Sequence, residues 1–204
     1  MLSSRPRGYS LIEVMIALAI LGVLMGLGLP AFNTMMKNFQ IRSAAESIVA
    51  GLQAARNEAV NRNTSVRFNL VTTLTNACAL DDNGPHWLIS RNVPTKKCAT
   101  AEIADFLEPD DSAQPQILQK RFAQDGTAYI AASAGGTPTS AVIFNSLGRT
   151  NSGIDTVDVT NPTGGTCESA GGALRCMRIL VGAGGKVKMC DPKVAVTTDS
   201  RFCQ

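Results

Sequence analysis

The 204-residue sequence contains one histidine, His86. A single histidine weighs against a histidine-based catalytic triad and a multi-histidine metal site. Aromatic residues make up 5% and charged residues only 17%, which is sparse for a cytosolic globule. No excess of one sign exists either: 19 basic against 16 acidic residues leave +3. That balance excludes a nucleic-acid coat built on bulk charge, and equally an acidic disordered tail. No two cysteines are spaced C-x-x-C, so zinc-ribbon and thioredoxin chemistry drop out. No nucleophile–base constellation, phosphate-cradling loop or catalytic carboxylate pair is present, and neither an enzyme nor a bound cofactor or metal is expected. His86 beside Trp87 reads as packing plus one hydrogen bond.

What the chain does have is uneven. Mean hydropathy is only +0.07, yet from Tyr9 to Leu29 the polar side chains are Tyr9, Ser10 and Glu13 alone. A helix of that length is about 31 Å long, enough to cross a bilayer's hydrocarbon. Arg5 and Arg7 precede it without an acid, which predicts a cytoplasmic amino end and an exported remainder. The run ends in Gly28-Leu29-Pro30-Ala31-Phe32, a poor signal-peptidase site. An amphipathic surface helix is excluded because there is no polar face. A plain anchor has no use for Glu13, since a carboxylate in lipid is costly unless paired.

Gly8-Tyr9-Ser10-Leu11-Ile12-Glu13, with bases before and an apolar run after, resembles the type III signal of type IV pilins and pseudopilins. The resemblance implies cleavage between Gly8 and Tyr9 by a membrane-embedded prepilin peptidase, followed by methylation of the Tyr9 amine. Tyr9 departs mildly from the phenylalanine usual there. By the same resemblance Pro30 is a helix-bending proline, and Gly22, Gly26 and Gly28 weaken the same stretch. Glu13 becomes the fifth mature residue, a carboxylate able to pair with a neighbour's new amine and set axial register.

Beyond Pro30, Ile41, Ala45, Ile48, Leu52, Ala55 and Ala59 recur in steps of four and three, one apolar stripe of a helix. From Ser65 the period becomes two, with strands predicted at Val66–Leu70, His86–Arg91, Ile117–Phe122, Thr127–Ala132, Ala141–Asn145, Ile154–Thr160, Ala173–Val181 and Lys186–Cys190. Gly/Pro/Asn/Asp turns separate them. The expected class is α+β: a leader at 1–8, a spanning helix at 9–30, its amphipathic continuation at 31–63, and an antiparallel β domain at 64–204. Phe144-Asn145-Ser146-Leu147-Gly148-Arg149 and a late Gly-basic-x-basic strand make this part similar to the GspH/FimT group of minor pilins and pseudopilins. That similarity implies two small sheets leaning on the helix. It also implies an inner-membrane protein with a periplasmic domain that later joins a pilus or pseudopilus. Other pilins, membrane lipid and the peptidase are its implied partners.

All six cysteines (Cys78, Cys98, Cys167, Cys176, Cys190, Cys203) lie beyond the apolar run, and an oxidising compartment favours disulfides. Fifteen pairings are open. The sequential one would staple three turn-rich loops at about 2–4 kcal/mol apiece. Charge is segregated: Glu102, Asp105, Glu108, Asp110 and Asp111 form a run without a base. The last stretch, from Gly171, carries Arg175, Arg178, Lys186, Lys188, Lys193 and Arg201 against Asp191 and Asp199. Lys186 and Lys188 fall on one side of a strand about 7 Å apart, the order of phosphate spacing. Gly185-Lys186-Val187-Lys188 resembles the Gly-Arg-x-Arg motif of DNA-binding minor pilins, with lysines for arginines. Lys186, Lys188, Arg178 and Lys193 are thus candidates for non-specific DNA contact. A solvated strand edge guarded by lysines is the competing reading.

Overall fold

A computed structural model describes residues 8–105, 114–122 and 129–204, and of 27–31, 151 and 152 the backbone only. Residues 1–7 of the expected leader, the side chain of Pro30, and Glu108, Asp110 and Asp111 thus lie outside the described residues. One helix, α1 (Leu11–Asn61), precedes every strand. Contacts divide the chain into Met1–Met36 and Lys37–Gln204, so the carboxyl half of α1 belongs with the β structure.

In the first unit every described side chain from Gly8 to Gly26 is exposed. Among the described residues no helix is long and apolar enough to cross a membrane. In the sequence, Leu27 to Ala31 extend that apolar run.

In the second unit, the stripe Ile41, Ala45, Ile48, Leu52, Ala55 and Ala59 is at most 1% exposed. It lies on two antiparallel sheets. The strands are β1 (Val66–Val71), β2 (His86–Ser90), β3 (Ile117–Arg121), β4 (Tyr129–Ala134), β5 (Thr137–Pro138), β6 (Ala141–Phe144), β7 (Thr150–Gly153), β8 (Thr156–Thr160), β9 (Met177–Val181) and β10 (Val187–Cys190). The first sheet has the order β3-β2-β1-β6-β7 and the second β10-β9-β8-β4-β5. Register places Phe68 opposite Ile89 and Leu70 opposite Trp87. These four join the helical stripe and Val157, Val159, Ile179 and Val181 of the second sheet in one core. Period-two alternation puts the intervening residues of each strand on its other face.

Close approach of helix and sheet rests on Gly51. A Cβ there would stand 2.8 Å from the Phe68 ring and 3.0 Å from Trp87. The indole N–H of Trp87 donates back to Ser47 Oγ at 3.1 Å, which satisfies its polar atom at the seam. Leu52, fully buried at the centre of the stripe, makes a direct test. Leu52→Ala should cost about 3 kcal/mol through lost transfer energy and a residual cavity. Urea unfolding of the fragment from Lys37 onward measures it.

The first sheet's outer face is covered too. Val71, Leu74, Cys78, Leu88, Cys98 and Ile117 form a second buried cluster beneath the β1–β2 and β2–β3 connections. Lys120 Nζ donates to the carbonyls of Cys98 (3.3 Å) and Thr100 (3.0 Å), fixing the stapled loop to β3.

The strand expectations fare well where side chains alternate. β5 and β7 lie between the predicted strands, where Gly135-Gly136-Thr137-Pro138 and Asn151-Ser152-Gly153 read as turns. β7 (Thr-Asn-Ser-Gly) has no apolar alternation, and is drawn into the sheet because the tight connection after Phe144 returns the chain beside β6.

Candidate functional site

At the start of α1 the Ser10 carbonyl accepts from the amides of Glu13 (3.1 Å) and Val14 (3.2 Å), so the helix begins just beyond the candidate cleavage position. Glu13 is the acid of the first turn, where the exposed amides favour negative charge. Its carboxylate has no partner among the described residues. Tyr9 is 84% exposed and Leu11 78%. The apolar run and its single acid are thus presented outward along the described part of the first unit.

The six cysteines form three bridges in sequential order: Cys78–Cys98, Cys167–Cys176 and Cys190–Cys203. Each binds a loop that also makes polar contacts. The loop holding Cys167–Cys176 grips the helix: Lys37 Nζ donates to Thr163 Oγ1 (3.2 Å), Asn161 Nδ2 to Gln40 Oε1 (3.1 Å), and the Arg175 amide to Asn38 Oδ1 (2.9 Å). The Cys190–Cys203 bridge ties the terminal segment back to β10, beside a bond from the Asp191 amide to the Arg201 carbonyl. Within that segment Arg201 donates to both Asp199 oxygens and holds this carboxyl down at about 2. The pair favours the folded form above the ordinary aspartate value and loses that contribution as pH falls through about 2. An NMR titration should find Asp199 among the last carboxylates to protonate.

The two motif segments meet. In Phe144-Asn145-Ser146-Leu147-Gly148-Arg149, Asn145 Oδ1 accepts from the amides of Leu147 and Arg149, both at 3.0 Å. Gly148 sits at φ +70° and Gly185 at φ +75°. Arg56 Nε, from the helix, donates to the Gly148 carbonyl at 3.1 Å. A Cβ on Gly185 would fall 1.8 Å from that same oxygen. The glycine of Gly185-Lys186-Val187-Lys188 is therefore a packing glycine, required where β9–β10 and β6–β7 turns touch. Arg56 was not legible as part of this junction, because on a helix an arginine between Ala55 and Asn57 reads as solvated.

The four candidate bases do not make an open strip. Arg178 forks onto Asp158 (2.7 and 2.9 Å), which raises its guanidinium pKa. Lys193 Nζ donates to Glu168 Oε2 at 2.5 Å, and this bond leads the causes holding the Glu168 carboxyl below its usual range. Lys188 Nζ donates to the Phe202 carbonyl at 2.9 Å. Lys186 is exposed, just before β10, and lines a cleft with Asp155 and Lys188. Three of the four are thus committed within the chain, and the arrangement lends DNA contact no support. His86 packs edge-on against Phe122, ring centroids 5.9 Å apart, and burial lowers its pKa. No group of side chains suited to a metal occurs among the described residues.

Residues 44–185 match the family model described as type II transport protein GspH. Residues 3–29 match the prokaryotic N-terminal methylation motif. Among solved structures, two crystal forms of the Pseudomonas aeruginosa type IV minor pilin FimU are similar to this chain. One is 16% identical, covers 80% of this chain and 97% of its own, and has a TM-score of 0.50. The other is 17% identical with coverages of 76% and 97% and a TM-score of 0.48. At such identity the first of these speaks for the fold alone. Nothing among curated protein sequences matches the chain. With one family model running from residue 44 of the helix through strands β1 to β9, and the methylation motif at the amino end, the chain belongs to the GspH family of pilin-like proteins.

Proposed function

We propose that the protein is a low-copy structural subunit of a type IV pilus or type II secretion pseudopilus. In this reading residues 1–8 are a cytoplasmic leader, cut between Gly8 and Tyr9, and Tyr9 is then methylated. Residues 9–30 span the inner membrane, 31–63 continue the helix, and 64–204 form the periplasmic domain. The observation that carries the reading is the exposed apolar start of α1 with Glu13 as its one acid. Such a surface needs lipid before assembly and neighbouring helices afterwards. The three disulfides suit an oxidising periplasm.

On assembly, Glu13 would receive the charged amine of an adjoining subunit's Tyr9, since burying either charge alone costs several kcal/mol. Such a pair fixes how far one helix slides along the next. Immunogold labelling of sheared filaments tests the reading. The protein should decorate filaments sparsely, and absence from filaments while membrane levels are normal would contradict it.

A further inference from the structure

We infer that the junction of the two motif loops is a docking tip for an acidic surface on another subunit of the same filament. This rests on the subunit reading given above. Leu147 is 73% exposed at the apex of the β6–β7 turn, and Val60, 48% exposed, ends the helix beside Gly148, whose added Cβ would lie 3.0 Å from Val60 Cγ2. Three cations belong to this junction: Arg56, bonded to the Gly148 carbonyl, and the exposed Arg149 and Lys186, which directly follow the two touching glycines Gly148 and Gly185 in the chain. None of the three has a carboxylate partner among the described residues. Asp155 shares a cleft with Lys186 and accepts from the Gly135 amide at 2.6 Å. Glu58, on the same helical end, is taken by Arg62 at 2.6 Å.

The tip is also preorganised. Asn145 pins the Leu147 and Arg149 amides, Arg56 pins Gly148, and the Thr150 amide bonds the Ala183 carbonyl at 3.1 Å. A rigid loop loses little entropy on docking, so its contacts convert into affinity efficiently. An exposed leucine on a junction whose cations have no carboxylate partner matches a partner that offers a small apolar socket among carboxylates. Nucleic acid fits less well. Duplex binders neutralise about 6–10 phosphates, and a phosphate backbone gives Leu147 and Val60 nothing to pack on.

The test uses the full chain in cells that build the filament, with a photo-reactive benzoylphenylalanine at Leu147. The expected product is an adduct with a different pilin-like subunit, mapped by mass spectrometry to a site flanked by Asp or Glu. Arg149→Glu with Lys186→Glu should lower adduct yield about tenfold or more, because like charges would then face each other. Both side chains are exposed, so thermal unfolding of the variant should match the parent and exclude misfolding. Adducts only with a second copy, with nucleic acid, or with an acid-poor site would overturn the inference, as would insensitivity to the charge reversal. Filaments that contain the protein but give no adduct overturn the docking tip alone. Absence from filaments overturns the subunit reading with it.

Discussion

Replacing Gly185 by alanine should destabilise the β unit by about 3 kcal/mol, whereas the same change at neighbouring Gly184 should be nearly neutral. Two costs combine at Gly185. Its φ of +75° is one that an L side chain adopts only with strain, and its Cβ would meet the Gly148 carbonyl oxygen at 1.8 Å. That obstacle is backbone, held in turn by Arg56 and the Asn145 turn, so relief requires the two hairpins to separate. Around Gly184 nothing lies within 4 Å. Lys186→Ala, at an exposed side chain, should change stability by about 0.5 kcal/mol or less. Urea unfolding of the fragment from Lys37 measures all three. Equal midpoints for the two glycine variants would show that the junction is not closed in solution.

Glu13→Ala should leave membrane insertion intact and strongly reduce incorporation into filaments. Insertion is driven by the apolar run, to which removing a carboxylate is favourable. Assembly would then bury a neighbour's ammonium without a counter-charge, at a cost of about 3–5 kcal/mol, or roughly a hundredfold or more in the equilibrium. Glu13→Gln separates charge from shape, because it keeps a hydrogen-bond acceptor and loses the anion. Membrane fractionation and quantitative blotting of sheared filaments supply the two readouts. Wild-type incorporation of both variants would remove Glu13 from assembly.

Much of the fold was legible because its periodicities are local. The steps of four and three from Ile41 to Ala59 mark the side chains that are most buried, and alternation marks β1 and β2 to within a residue. The division at Met36/Lys37 was less legible, since a helix running through it shows no break in the sequence. Pro30, read as a bend, lies within the helical backbone, and its side chain is outside the described residues. β7 escaped because its pairing is imposed by a turn and not by its own side chains.

At the candidate site the local signal around Gly8, Tyr9 and Glu13 is a chemical order that sequence displays completely. The basic strand is different. Arg178, Lys188 and Lys193 look alike in sequence, but Asp158, the Phe202 carbonyl and Glu168 are 20, 14 and 25 residues away along the chain. Long-range partners decide whether a cation is available, and one-dimensional spacing does not carry them. The same holds for Gly148 and Gly185, whose contact is set by how two hairpins meet.

The mature amino terminus is the most direct test. Intact mass spectrometry of the protein from its native membrane should give a chain beginning at Tyr9, heavier by one methyl group, with all six cysteines oxidised. A chain still beginning at Met1, in cells whose prepilin peptidase is active on other substrates, would contradict the account.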